Sequence, residues 1–144
     1  MTPALQGHFD DYASFHRTAG NQACHYVGIP FIVFAIVALL ERVPLASVSG
    51  WSTTLAEIAI LGATLFYLRL DVPLAAMMLV AFAVFDVAGR GVPATIAWGL
   101  FVVGWAFQFI GHYVYEKRAP AFYKNLAHLL VGPLWILAKG VGRA

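Results

Sequence analysis

Charge is what this chain has least of. Only 11% of its 144 residues are Asp, Glu, Lys or Arg, against about a quarter in an ordinary water-soluble domain. That scarcity excludes a soluble globular fold. The nine basic and seven acidic residues leave a net charge of +2 and are scattered along the chain, so there is no basic surface for a nucleic-acid backbone. There is a single cysteine, Cys24, which excludes an intramolecular disulfide and any Cys-rich metal motif. Internal repeats and low-complexity tracts are absent. The first twenty residues hold His8, Asp10, Asp11, His16 and Arg17 and lack an apolar core, so they are not expected to act as a cleaved leader. The closing Val-Gly-Arg-Ala carries no lipidation or retrieval signal.

What the chain does have is apolar length. Hydrophobic residues make up 61% of it, with a mean hydropathy of +0.78. The expectation is an all-α integral membrane bundle, one domain over residues 1–144, with about four transmembrane helices. An amphipathic N-terminal helix on residues 1–19 presents Leu5, Phe9, Tyr12 and Phe15 at helical spacing and would lie on the membrane surface. Gly20 reads as its stop and Asn21 as the N-cap of the next helix. The spans are expected near 22–40 (containing Pro30), 53–70, 74–87 and 94–115, with residues 44–51 a loop, Pro73 forcing a tight turn and 89–93 a turn. The third is short for a bilayer core of about 30 Å. The apolar stretch 122–138 is interrupted by Gly132-Pro133 and reads as an interfacial or re-entrant helix pair. The tryptophans at 51, 98, 105 and 135 read as interfacial anchors or packing. Asp86 and Arg90, four apart, read as a structural salt bridge.

The stretch that organises the rest is Trp105 to Glu116. Gln108, His112 and Glu116 are spaced four apart, which on a helix returns to one face about 40° round and roughly 6 Å along. Ionisable groups in or beside a span are costly and mark a functional site. Four spans put the N-tail, the 69–73 turn and the C-tail on one side. That side carries Arg17, Arg69, Lys117, Arg118, Lys124, Lys139 and Arg143, seven of the nine basic residues, leaving Arg42 and Arg90 opposite. Both termini are therefore expected in the cytoplasm, in a bacterial inner membrane or, in a eukaryote, the ER membrane. The same topology brings a second polar group, His16, Asn21 and His25, to the depth of the first.

Three imidazoles and a carboxylate at one depth suit a transition metal, held between facing helices. His16, His25, His112 and Glu116 are the candidate ligands, with His128 a further one. Asn21 and Gln108 are better placed to hydrogen-bond behind the ligands, and Arg17 or Arg118 to hold a substrate carboxylate. Read alone, His112 with Glu116 is equally an ordinary ion pair at a helix end. A haem-binding electron-transfer bundle with His25 and His112 as axial ligands, or a non-catalytic membrane scaffold or carrier, stays open on these residues.

The run His16-x4-Asn21-x3-His25-x2-Gly28-Ile29-Pro30, followed by Trp105-x2-Gln108-Phe109-Ile110-Gly111-His112-x3-Glu116-x3-Pro120-Ala121, resembles the 2-hydroxy-palmitate dioxygenase family known from the yeast ER. The resemblance spans nearly the whole chain. It implies an Fe(II)-dependent enzyme that uses O2 to convert a long-chain 2-hydroxy fatty acid to the acid one carbon shorter plus CO2. It maps the family histidines onto His16, His25 and His112 and the acidic position onto Glu116. Under it, the acyl tail belongs among the helices and the polar head at their cytoplasmic ends.

Overall fold

A computed structural model describes residues 1–123 and 125–144, with all their side chains except those of Val48 and Trp51. Lys124 in the charge count and Trp51 as an anchor therefore lie outside the described residues. Among the described residues the elements are α1 (Pro3–Ser14), α2 (Ala19–Leu40), β1 (Pro44–Val48), β2 (Trp51–Thr54), α3 (Leu55–Leu68), α4 (Val72–Gly89), α5 (Ala94–Phe109) continued by a π-helical turn (Ile110–Tyr115), a 3-10 turn (Ala121–Tyr123) and α6 (His128–Gly140). The all-α membrane-type bundle expected from composition is what forms.

Among the described residues three helices are long and apolar enough to cross a membrane: α2, α4 and α5 with its π turn, at 22, 18 and 22 residues. The second expected span, 53–70, forms a helix shorter than its apolar run. α3 has 14 residues, a rise of about 21 Å, because Thr53 and Thr54 join a β-hairpin and Thr54 then caps the helix, its hydroxyl and N–H both bonded to Glu57. The hairpin stands where a plain loop was expected. Ser49 and Gly50 both take positive φ, 51° and 82°, the two-residue turn whose twist matches that of paired strands. α4 is longer than expected. Asp71 caps it, accepting from Leu74 N–H at 3.1 Å, and Pro73 sits in its first turn, where a missing N–H costs nothing. Proline here starts a helix instead of forcing a turn.

The N-terminal helix also differs from expectation. Its stripe of Leu5, Phe9 and Tyr12 is buried against protein. It packs on Tyr67, Leu70 and Leu74 from one side and on Val131, Leu134 and Trp135 from the other. α1 ends at Ser14, and α2 is capped by Thr18, whose hydroxyl accepts from Asn21 N–H at 3.3 Å. Gly20 and Asn21 are thus inside α2's first turn. The last apolar segment is one helix with Pro133 inside it, not a broken pair. It packs against α1, α2 and α4, and that burial outweighs the single backbone bond forfeited at Pro133.

Two features set up the site. First, α2 and α5 approach very closely at a glycine pair: a Cβ on Gly28 would lie 2.7 Å from Gly104's carbonyl oxygen, and one on Gly104 would lie 2.8 Å from Gly28's. Small residues permit this kind of contact between membrane helices. Second, both chain ends meet the α3–α4 turn. Asp71 is 3.7 Å from the Met1 amino group and 3.1 Å from Arg143, and Thr2 donates to Leu70's carbonyl at 2.6 Å. The N-tail, this turn and the C-tail share one end of the bundle, as the charge distribution required.

Candidate metal centre

His16 lies in the link between α1 and α2, His25 two turns into α2, and His112 in the π turn after α5. The glycine seam between α2 and α5 brings the last two face to face. Ring centroids are 4.4 Å apart for His16–His25, 4.9 Å for His16–His112 and 4.9 Å for His25–His112. One ligand atom from each lies within 4.8 Å of the others, and all three residues are buried.

His112 stands in a π turn: Glu116 N–H bonds to Gly111's carbonyl, five residues back, and Arg118 N–H to His112's, six back, and such turns recur at functional sites. Glu116 is not in the histidine group; donors at the start of α2 hold it instead. Its carboxylate accepts from Arg17 N–H at 3.1 Å, Thr18 N–H at 3.1 Å, Thr18 Oγ1 at 2.9 Å and Asn21 Nδ2 at 3.1 Å. It sits on the positive end of α2. Burial opposes its charge, but the donors of Thr18, Arg17 and Asn21 outweigh that and hold the carboxyl down at about 2. Asn21 holds this anchor and, through its carbonyl, His25.

Backbone carbonyls fix two of the rings. His16 Nδ1 is 2.6 Å from Tyr12's carbonyl oxygen and His25 Nδ1 is 2.9 Å from Asn21's. A carbonyl only accepts, so both Nδ1 atoms carry hydrogen and both Nε2 atoms keep lone pairs. Those two Nε2 atoms face each other at 3.0 Å, an arrangement that repels unless a cation lies between them. A shared proton is a poor candidate. Burial, reinforced by His112 and only partly offset by the Tyr12 carbonyl, pulls His16 down to about 4. A metal ion fits: bonds of about 2.1 Å put two nitrogens about 3.0 Å apart when they meet at a right angle. His112 Nδ1 is also buried, with no hydrogen-bond partner among the described residues.

The three histidines stand at one end of a cavity of about 140 Å³. Its far wall runs along α2 through Ile29, Ile32, Val33 and Ile36, opposite Trp105, Phe122 and Leu129. Eleven residues separate His25 from Ile36, about 16 Å of helix, and Ile36 is 41% exposed on the apolar flank. The slot is polar at one end and greasy at the other. Gln108 lines it, 6% exposed, and its Nε2 has no partner among the described residues. Among the described residues no hydrogen bond joins it to a histidine. His128 also lines the cavity but stands outside the three-histidine group, bonded through Nε2 to Asp11 at 2.7 Å. Arg17 and Arg118 are exposed and line no part of the cavity; Arg118 stacks 3.9 Å over the Phe15 ring.

Sequence reasoning passed over Tyr12, Asp11 and Thr18. Tyr12 stacks on His16 with centroids 3.9 Å apart, as well as binding its Nδ1. Tyr12 and His16 are four apart on either side of a helix end, a signal available in the sequence; but the decisive contact is through a backbone carbonyl, which residue type does not reveal.

The 2-hydroxy-palmitic acid dioxygenase Mpo1-like family model matches residues 3–144. The 2-hydroxy-palmitic acid dioxygenase MPO1 of Saccharomyces cerevisiae is 31% identical over 138 residues, covering 92% of this chain and 77% of the yeast protein. No solved structure matches. The match takes in the histidine link, the glycine seam, the π turn and the C-terminal helix together, and the chain belongs to the Mpo1-like 2-hydroxy-palmitic acid dioxygenase family.

Proposed function

We propose that this protein is an Fe(II)-dependent membrane dioxygenase that shortens long-chain 2-hydroxy fatty acids by one carbon. The observation that carries the proposal is the pair of Nε2 lone pairs held 3.0 Å apart by two backbone carbonyls. The reaction balances without an outside reductant: RCH(OH)COOH + O2 gives RCOOH + CO2 + H2O, the hydroxy acid supplying all four electrons. When bound, Fe(II) supplies redox-active coordination for the hydroxy acid and O2.

The protein's own residues do the rest. His16, His25 and His112 are the ligands. Tyr12 and Asn21 hold two of those rings in the tautomer that binds metal. Glu116 fixes the link that carries His16 to the start of α2, so its role is to position, not to ligate. The slot along Ile29, Ile32, Val33 and Ile36 takes the acyl tail and opens toward lipid, so a substrate dissolved in the bilayer can enter sideways. Gln108's unpartnered amide, next to the histidines, donates to the substrate carboxylate. This takes the place of the expected Arg17 or Arg118 contact. Both termini and the site face the cytoplasm, where the basic residues concentrate.

A haem reading fits less well, because a macrocycle between His25 and His112 would have to pass through the ring of His16, 4.4 and 4.9 Å from them.

The test is elemental analysis of detergent-purified wild type beside His112→Ala, followed by O2 uptake and CO2 release with 2-hydroxypalmitate. About one iron per chain in the wild type, lost in the variant, together with gas exchange in equal amounts, is the expected result. Zinc in place of iron would leave the site standing and remove the oxygen chemistry, since zinc is redox-inert. No metal after anaerobic Fe(II) loading would remove the mechanism.

A further inference from the structure

The histidine outside the metal group has a place of its own. His128 begins α6 and lines the cavity, and its side chain is 4% exposed. Asp11, on α1, binds its Nε2 at 2.7 Å. The rings of Tyr12 and Phe15 lie at 5.4 and 5.8 Å from it and fix its tilt. A carboxylate only accepts hydrogen bonds, so Nε2 carries the hydrogen and Nδ1 is left as an acceptor. Nδ1 is buried and has no partner among the described residues. If His128 were only a strut between α1 and α6, a single bond to Asp11 from an apolar-walled position would suffice, and a cavity-lining acceptor would add only the cost of its desolvation.

We infer that His128, oriented by Asp11, is the hydrogen-bond acceptor for the substrate's 2-hydroxyl group. The inference rests on the proposed dioxygenase reading of the cavity and deepens it. The cavity wall then offers complementary groups for a 2-hydroxy acid: a donor on Gln108 for the carboxylate and an acceptor on His128 for the hydroxyl. A plain fatty acid has a carboxylate but no hydroxyl. It would leave Nδ1 of His128 unmatched, which is how a site built for a hydroxyl rejects the analogue that lacks one.

His128→Gln separates the two duties of the ring. The Gln amide can still donate to Asp11, so the strut between α1 and α6 is kept, while the cavity-facing nitrogen is lost. Asp11→Ala does the reverse, keeping the ring and removing the acceptor that orients it. The measurement is the ratio of binding constants for 2-hydroxypalmitate and palmitate, with metal content and melting temperature recorded on the same as-purified protein. In His128→Gln the preference for the hydroxy acid should narrow about tenfold, the weight of one hydrogen bond at a buried group. Palmitate binding, metal content and melting temperature should stay at wild-type values. Asp11→Ala should narrow it by a smaller factor. If wild type turns over 2-hydroxypalmitate and both variants keep its full preference, the hydroxyl contact is overturned and the dioxygenase reading stands. If wild type neither binds nor turns over 2-hydroxypalmitate, both fall. If His128→Gln loses metal or fails to fold, the Asp11→Ala ratio decides, and an unchanged ratio there overturns the contact.

Discussion

The two ends of this bundle carry two polar clusters of opposite character. At one end His16, His25 and His112 converge, with two Nε2 lone pairs facing each other and His112 Nδ1 without a partner among the described residues. At the other, Glu41, Glu57 and Asp86 also lie close enough to share an ion, but Arg90 reaches all three, at 3.5, 2.5 and 3.3 Å. That guanidinium also donates to Ser52's carbonyl at 3.2 Å, tying the end of α2, the hairpin, the start of α3 and the end of α4 together. Arg42 adds bonds to the carbonyls of Ala38 and Val92. The acidic cluster brings its own cation and reads as structure. The histidine cluster brings none and reads as a binding site. Proximity of ligand-type side chains is the same at both ends; what differs is whether the protein completes their bonding.

Removing a histidine should have the largest effect. Replacing His16, His25 or His112 by Ala should abolish bound iron and lower turnover by about a thousandfold or more, while the melting temperature of the metal-free protein hardly changes. Turnover retained in all three variants would break the contrast at its functional end. Glu116→Gln comes next. With the charge on four donors removed, the link carrying His16 loosens, and iron affinity should fall about 10–100-fold with the ligands intact, read by chelator competition. If affinity is unchanged, Glu116 does not position the ligands.

Arg90→Met tests the other end. It leaves three carboxyl groups without their cation and should destabilise the fold by about 1–3 kcal/mol, discounted because Arg90 is partly exposed. Iron content should not move; a loss of iron would show that the ends are not independent.

The smallest effect is in pH. Glu116 is held at about 2 against an ordinary 4.5, so its contribution to stability is full above 4.5 and is lost as pH falls toward 2. Glu41 shifts the other way. Burial first and Asp86 second push it up to about 7 despite Arg90, so its contribution is full below 4.5 and is lost as pH rises through 7. Glu116→Gln should flatten the acid limb of the melting-temperature profile, and Glu41→Gln the limb between 4.5 and 7. Two variants flattening the same limb would contradict the opposed electrostatics.

Much of this was legible in the chain. Sixty-one per cent hydrophobic residues with 11% charge required a lipid-facing helical bundle, because so few charges cannot cover a soluble surface. Basic residues gathered near the N-tail, one turn and the C-tail placed those segments together, and Asp71 with Met1 and Arg143 shows them meeting. The two polar groups, His16 with His25 and His112 with its neighbours, announced a site by their cost in an apolar chain.

Only the tertiary structure decided which of those groups serve which end. A helical repeat of four put Glu116 beside His112 as a ligand candidate; Arg17, Thr18 and Asn21, almost a hundred positions away, claim its carboxylate instead. Residue type marked His128 as a ligand candidate, but Asp11, 117 positions away, had already claimed one of its nitrogens. Periodicity foretold α1's apolar stripe and not its neighbour, since a stripe suits lipid and protein equally until α6 folds against it. Local sequence sets what a side chain can bond to. Which of its partners comes within 3 Å depends on contacts between residues far apart in the chain, and no local pattern encodes those.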